Sequence, residues 1–118
     1  MRYLALLCTI SLSACSRLPV DLPATEAAAV VVYESSQAPK SFFLQPGTPK
    51  HQQLREWVAA NQYGWAAYPA TEPSAGVVVS MPTGRLHFVN STALACPNRT
   101  ACVQKKVDAS SYEFLREP

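Results

Sequence analysis

Prolines occur along almost the whole chain, and they limit what it can fold into more than any other feature. Ten of its 118 residues are proline. Proline fixes φ and has no N–H donor, so it breaks helix interiors and is confined to turns, strand edges and first helical turns. Long helices must therefore be few, and short strands joined by turns are expected for the rest of the chain.

One segment carries start and stop signals for a helix. Thr48 is a preferred N-cap, Pro49 suits the first helical position, and Gly64 suits the residue after the C-terminus. Between them, one stripe recurs at helical spacing: Leu54, Trp57, Val58 and Asn61. The pattern predicts a helix over 49–63 with one face packed on a sheet.

Several short segments rich in β-branched or aromatic residues have the pattern of strands. Residues 76–81 and 85–90 are expected to form an antiparallel pair joined at Pro82-Thr83-Gly84. The other predicted strands are 30–33, 40–45, 65–68, 103–108 and 112–115. This order predicts an α+β fold, a single domain with one helix packed on a small, mostly antiparallel sheet.

The charge balance gives little support to a strongly charged partner. Ten basic and eight acidic residues give a formal charge of +2, and only 15% of residues are charged. A field this weak does not favour nucleic acid, so no nucleic-acid partner is expected.

The N-terminus has the pattern of an export signal. One basic residue, Arg2, precedes an apolar run over 4–12 that is too short to span a bilayer. The run ends in Leu12-Ser13-Ala14-Cys15, which resembles the lipobox of bacterial lipoprotein precursors. The resemblance implies cleavage before Cys15 and acylation of its thiol, so residues 1–14 are the expected signal peptide. An ordinary signal peptide cut after Ala14 and a short uncleaved anchor are the alternatives.

The same resemblance implies an address and a division of the chain. Ser16 stands where Asp would resemble an inner-membrane retention signal, so an outer-membrane anchor facing the periplasm is expected. Residues 15–26 hold two prolines and no periodicity, which predicts a lipidated N-terminus and extended tether. Residues 27–118 are then the folded domain. Removing residues 1–14 takes away one basic residue and leaves nine against eight, or +1.

Two cysteines remain for the domain. Cys96 and Cys102 form an even pair in an exported chain, which predicts a disulfide. A redox pair and a metal site are the alternatives, but the spacing is not that of a redox motif. His51 and His87 are distant along the sequence, so no metal site is expected.

Catalytic signatures are absent from the sequence. His51 and His87 are interpreted as surface residues, and no serine lies in a nucleophile motif. The carboxylates include no close pair, and the glycines form no phosphate loop. The chain is therefore expected not to be an enzyme and to need no cofactor.

Binding to another exported or envelope protein is the function favoured by these exclusions. An inhibitor or immunity protein against a periplasmic toxin is the first hypothesis, and an accessory lipoprotein of an envelope assembly such as a secretion system is the second. Tyr63, Tyr68 and Arg99 are the predicted contact residues, because they place aromatic or guanidinium groups at the ends of elements. A small cell-wall or lipid enzyme is the least favoured hypothesis.

Overall fold

The structure is a computed structural model that describes residues 16–33 and 37–118. Among these residues there is one α-helix, α1 (Pro49–Ala60), and a 3₁₀ helix (Ala109–Leu115). The strands are β1 (Ala28–Tyr33), β2 (Lys40–Leu44), β3 (Ala66–Ala67), β4 (Gly76–Met81), β5 (Gly84–Val89), β6 (Thr92–Cys96) and β7 (Val103–Lys106).

The strands form a single seven-stranded sheet in the order β2-β1-β4-β5-β6-β7-β3. All six strand pairings in the described ranges are antiparallel. The predicted α+β class is confirmed, and the strands dominate over the helix.

Strand β4 lies inside the sheet, between β1 and β5, and buries apolar side chains on both faces. Val77 and Val79 are fully buried, and Val78 on the opposite face is 9% exposed. The β4–β5 hairpin turns at Pro82-Thr83, as predicted. Its Gly84 has a φ of 147°, and a Cβ atom there would come within 2.6 Å of the Cys96 carbonyl oxygen. A side chain at this position would therefore separate β5 from β6.

Helix α1 begins as predicted. The Thr48 side chain accepts a hydrogen bond from the His51 backbone N–H, and Pro49 opens the first turn. The helix ends at Ala60, three residues before the predicted end. The Asn61 side chain donates to the carbonyl oxygen of Trp57, and the Gln62 side chain donates to that of Val58. These amide groups satisfy last-turn carbonyls in place of further helical N–H groups.

The main core lies between α1 and one face of the sheet. Trp57 on the helix contacts Trp65 edge-on with ring centroids 6.3 Å apart, as predicted from the helix stripe. Phe88 of β5 also meets Trp57 edge-on, and it stacks on Tyr112 of the 3₁₀ helix at 4.8 Å. Burial of these rings fixes the helix and the C-terminal segment on the same face, called here the covered face.

The N-terminal segment differs from the predicted tether. Leu18, Val20 and Leu22 are 7%, 2% and 1% exposed and belong to the main core. The backbone N–H of Asp21 donates to the Thr83 hydroxyl, which donates in turn to the Asp21 carbonyl oxygen. Apolar residues alternate at 18, 20 and 22, and this pattern could have predicted an extended segment with one buried side. The two prolines lie beside these residues in exposed or half-buried positions.

Two predicted strands differ from the structure, and one observed strand was not predicted. Residues 112–115 lie in the 3₁₀ helix, because Tyr112 and Leu115 are three apart and both face the core. Of the predicted strand 65–68, Ala66–Ala67 pairs with β7, and Trp65 forms an isolated bridge with Ser16. Strand β6 was not predicted, although Thr92–Cys96 pairs with both β5 and β7. None of the helices in the described ranges is long and apolar enough to cross a bilayer.

Candidate functional site on the open face of the sheet

The face of the sheet opposite α1, called here the open face, carries polar and aromatic groups. Strand register places Val78 beside His87, and His87 beside Leu94, in one row across three strands. A second row holds Ser80, Arg85 and Cys96. Residues two apart on a strand share a face, so Arg85 and His87 project from β5 to the same side.

Glu72 joins these two side chains from the loop between β3 and β4. Its carboxylate accepts two hydrogen bonds from the Arg85 guanidinium, one of them 2.7 Å between Nη2 and Oε1. The same carboxylate contacts Nε2 of His87. A bidentate pair of this kind fixes the geometry of both partners, so Glu72 holds its loop over the open face.

The electrostatics of this cluster favour an ionised Glu72. Hydrogen bonding from Arg85 is the main cause that lowers the pKa of Glu72 from 4.5 to about 2, with a smaller contribution from His87. Burial opposes this change but does not overcome it. In return, the Glu72 carboxylate raises the pKa of Arg85. The Glu72–Arg85 pair therefore stays charged over the whole range in which proteins normally work.

The two histidines are not surface residues as predicted, since each is only 2% exposed. His51 continues the helix stripe toward the N-terminus, three residues before Leu54, and its Nε2 donates to the Glu26 carbonyl oxygen at 2.6 Å. His87 is buried because Glu72 and its loop cover the open face at that point. Within the described ranges its other ring nitrogen, Nδ1, has no hydrogen-bond partner.

The predicted disulfide between Cys96 and Cys102 is present. Both cysteines are buried, and they pack with Leu94 and the half-buried ring of Tyr68. The Tyr68 backbone N–H donates to the Cys102 carbonyl oxygen, which attaches the β3–β4 loop to the disulfide loop. Cys15, the predicted lipidation site, lies outside the described residues.

A pocket of about 640 Å³ opens beside the cluster. Glu72, Arg85 and His87 form its polar wall, and Val31, Val78 and Pro73 supply apolar surface. Arg99 and Thr100 of the disulfide loop reach it from the other side. A pocket with a few convergent polar groups among apolar ones is typical of a binding site.

No protein-family model, curated protein or solved structure matches the chain.

Two aromatic side chains flank this region of the open face. Phe43 on β2 is 67% exposed and Tyr33 on β1 is 38% exposed. Tyr33 also lines the pocket. An exposed aromatic ring adjoining a pocket with arginine side chains has the composition of protein-binding hot spots.

The predicted contact residues lie in different places. Arg99 is exposed and lines the pocket. Tyr68 is half-buried against the disulfide. Tyr63 is 61% exposed beyond the end of α1, where the Arg17 guanidinium lies 5.4 Å from its ring centroid. Of the three predicted contact residues, Arg99 lines the pocket, and Tyr63 and Tyr68 do not. The other described residues that line it were not predicted to contact a partner.

Sequence reasoning missed Glu72, Arg85 and Phe43. Alternation along β5 carried a weak signal, because Arg85 and His87 must share a face if Leu86 and Phe88 share the other. Nothing local pointed to Glu72, which comes from a proline-rich loop thirteen residues before Arg85. Phe43 adjoins Phe42 in the sequence, and only the pairing of β2 with β1 decides which ring faces the core.

The open face also changes the basis for the predicted absence of a metal site. That expectation depended on the distance between cysteine and histidine along the chain. The sheet instead brings one potential ligand atom each of Glu72, His87 and Cys96 within 4.8 Å of one another. In the oxidised protein the Cys96 sulfur is bonded to Cys102 and does not offer a thiolate to a metal.

Proposed function

We propose that this protein is a lipid-anchored bacterial envelope protein that binds another exported protein with the open face of its sheet. In this proposal it acts as an inhibitor or immunity protein against a periplasmic enzyme or toxin. The anchor is an acylated Cys15 in the outer membrane, and the protein is not an enzyme. The observation that carries the binding function is the exposed, mixed surface formed by Phe43, Tyr33 and the pocket beside Arg99.

The geometry of the open face supports protein binding because anchors and polar groups lie on one rigid sheet. Phe43 is an exposed aromatic side chain on a paired strand, so little conformational entropy is lost when a partner covers it. Arg99 extends from a loop that the disulfide closes. Glu72 is already paired with Arg85, so among the described residues that line the pocket the guanidinium of Arg99 is the exposed cation left for an acidic partner group.

The packed N-terminal segment supports a short anchor. The backbone of Ser16 bridges to Trp65, and the backbone N–H of Leu18 donates to the Gln62 carbonyl oxygen at 2.8 Å. With lipid on Cys15, the domain would begin at the next residue, without a spacer of roughly 30 Å such as an extended dozen residues would provide. The domain would therefore lie at the membrane surface near Arg17 and Tyr63.

Lipidation has a direct test. Cells expressing the full chain are grown with a radiolabelled fatty acid, and the protein is then recovered from the membrane fraction. Label is expected on the unchanged chain and absent from Cys15→Ala, because the Cys15 thiol is the predicted acyl acceptor. Label that persists in Cys15→Ala would contradict the lipobox assignment.

Binding is tested by capture of partners from periplasmic extract. The bait is the full chain purified in a nonionic detergent, because a shortened chain that starts after residue 22 would lose part of the core. Recovery of one exported enzyme whose activity falls in proportion to added bait is the expected result. Recovery of membrane assembly proteins alone would contradict the inhibitor function.

Matched variants locate the interface. Phe43→Ser should weaken capture at least about thirtyfold if the ring is a hot spot, since such residues contribute about 2 kcal/mol or more. Tyr63→Ser is the control, because it removes another exposed aromatic ring at a different place. Loss of capture in Tyr63→Ser, with Phe43→Ser unaffected, would move the interface to the end of α1.

A specific observation also favours the second hypothesis, an accessory role in an envelope assembly. Strand β2 lies at one end of the strand order, and within the described ranges it pairs only with β1. Edge strands of this kind can pair with a strand of another chain. Proline within Lys40–Leu44, at a position whose backbone N–H does not donate to β1, would block strand addition. It should abolish co-purification with an assembly but spare binding through the open face.

A further inference from the structure

The disulfide lies beside a buried histidine, one of whose ring nitrogens has no hydrogen-bond partner among the described residues. Cys96 and His87 share the open face on adjacent strands, since Arg85 is the cross-strand partner of Cys96. A ring nitrogen of His87 lies within 4.8 Å of the Cys96 sulfur. Cys102 is bonded to Cys96, so its sulfur adjoins the same place.

The histidine is held in one orientation. Glu72 contacts its Nε2, and the Arg85 guanidinium holds the carboxylate by two hydrogen bonds. This arrangement leaves Nδ1 buried and, among the described residues, without a partner. Buried polar atoms without partners are uncommon and indicate a missing ligand, water or functional role. A carboxylate that holds one ring nitrogen is also the usual companion of a histidine that binds metal through the other.

We propose that reduction of the Cys96–Cys102 disulfide converts this cluster into a zinc-binding site. The ligands are the two thiolates and Nδ1 of His87, while Glu72 orients the imidazole. Two thiolates and one imidazole are a known zinc donor set, with a fourth position left for water. The pocket that Glu72 and His87 line connects this position to solvent.

The reaction balances with a dithiol as the reductant. The dithiol transfers two electrons and two protons to the disulfide and becomes a disulfide itself, which leaves Cys96 and Cys102 as thiols. Zinc binding then releases both thiol protons to solvent. The charges also balance, since two thiolates neutralise Zn²⁺ and Glu72 neutralises Arg85. The zinc proposal does not rest on the proposed protein binding, which uses the oxidised protein.

Co²⁺ is the probe, because its visible absorption spectrum depends on its coordination geometry and ligands. The full chain carrying Cys8→Ser and Cys15→Ser is used, so that Cys96 and Cys102 are its only thiols. It is reduced with a dithiol, freed of reductant without oxygen and titrated with Co²⁺. One equivalent is expected to give intense tetrahedral visible bands and a thiolate-to-metal charge-transfer band, both of which Zn²⁺ displaces. The oxidised chain should give neither.

His87→Gln and Glu72→Gln test the two roles. His87→Gln should weaken Co²⁺ binding at least about tenfold, and Glu72→Gln should weaken it by about ten- to a hundredfold, as is usual for a group that orients a ligand. His51→Gln is the matched control, since it removes the other buried histidine, and it should leave the affinity unchanged. Circular dichroism of each reduced variant establishes that the sheet is retained.

A measurement without substitution covers the case in which His87→Gln does not fold. In a ¹⁵N spectrum of the reduced chain, zinc should shift Nδ1 of His87 while Nε2 keeps its proton. No tetrahedral cobalt spectrum, an equal affinity in His87→Gln that is folded, or an unchanged Nδ1 resonance would each overturn the proposal. Equal binding by the oxidised chain would overturn it as well, because the thiolates would then not be ligands.

Discussion

The two faces of the sheet are built from different kinds of contact. The covered face is apolar, and its rings meet α1 and the 3₁₀ helix. The open face instead has an ionised carboxylate, a guanidinium and a buried imidazole, with a disulfide at its edge. Both faces bury residues of β5. Leu86 and Phe88 are buried by apolar packing on the covered face, whereas His87 is buried on the open face by the β3–β4 loop, which the Glu72 carboxylate attaches to β5.

This difference separates stability from function. Burial of apolar surface does not depend on direction, and the packed core excludes water. The covered face is therefore suited to stabilising the fold. Charged hydrogen-bonded groups are directional and depend on pH, redox state and competing ligands. A site that responds to a partner, a metal or acid is therefore expected on the open face, and substitutions on the two faces should differ in kind.

The largest effect is expected from Phe88→Ala on the covered face. Phe88 is fully buried between Trp57 and Tyr112, so the substitution leaves a cavity. The free energy of unfolding in urea should fall by about 3–5 kcal/mol. A loss similar to that of an exposed residue would show that the rings do not support the core.

The next largest effect is expected from acid acting on Glu72. In the folded, oxidised protein the pKa of Glu72 is lowered from 4.5 to about 2. The folded protein is therefore stabilised at pH values above 4.5, the pKa of the same group in the unfolded chain. The contribution, about 3 kcal/mol, is fully present above about pH 4.5 and is lost as the pH falls to about 2. Arg85 and His87 are the groups that face this carboxylate.

Urea unfolding between pH 7 and pH 2 measures this effect. Glu72→Gln should remove most of the slope between pH 4.5 and pH 2, because the amide does not titrate. Glu113→Gln is the control, since Glu113 pairs with Arg116 on the surface and is 67% exposed. An equal slope in Glu72→Gln and the unchanged chain would assign the acid sensitivity to other groups.

A smaller effect is expected from reduction of the disulfide. The bridge closes a short loop from Cys96 to Cys102, so it restricts the unfolded chain only moderately. Reduction without metal should lower the free energy of unfolding by about 2 kcal/mol. If zinc then restores part of that loss in the reduced chain but not in His87→Gln, the open face responds to redox state as proposed.

The smallest effect on stability is expected from Phe43→Ser. The ring is 67% exposed on the open face, so its loss should change the free energy of unfolding by no more than about 0.5 kcal/mol. The same substitution is expected to have the largest effect on partner capture. A large loss of stability would instead place Phe43 in the core and weaken the contrast between the faces.

Local signals predicted most elements of the covered face. The Thr48-Pro49 start of α1, the apolar helix stripe and the alternating hairpin depend on neighbours close in sequence, and the structure contains each of them. Local signals were wrong for residues 16–26. The two prolines predicted an extended tether, although the alternating apolar residues over 18–22 belong to the core. Sequence reasoning also placed His51 and His87 at the surface, since it could not show what covers them.

On the open face, local signals predicted the disulfide and the exposed Arg99, but not the cluster beside them. Glu72 meets Arg85 and His87 only because the β3–β4 loop folds over β5, and His87 meets Cys96 only because β5 pairs with β6 in one register. Shifting that register by one residue would move His87 to the other face.

The sequence by itself determined the helix, the main hairpin, the α+β class and the disulfide. Each follows from spacing and residue type over a few positions. Only the tertiary structure decided which polar side chains are buried together, that the N-terminal segment belongs to the core, and that Phe43 remains outside it. Strand pairing and loop packing join residues distant in sequence, and their energies depend on surroundings that no local pattern specifies.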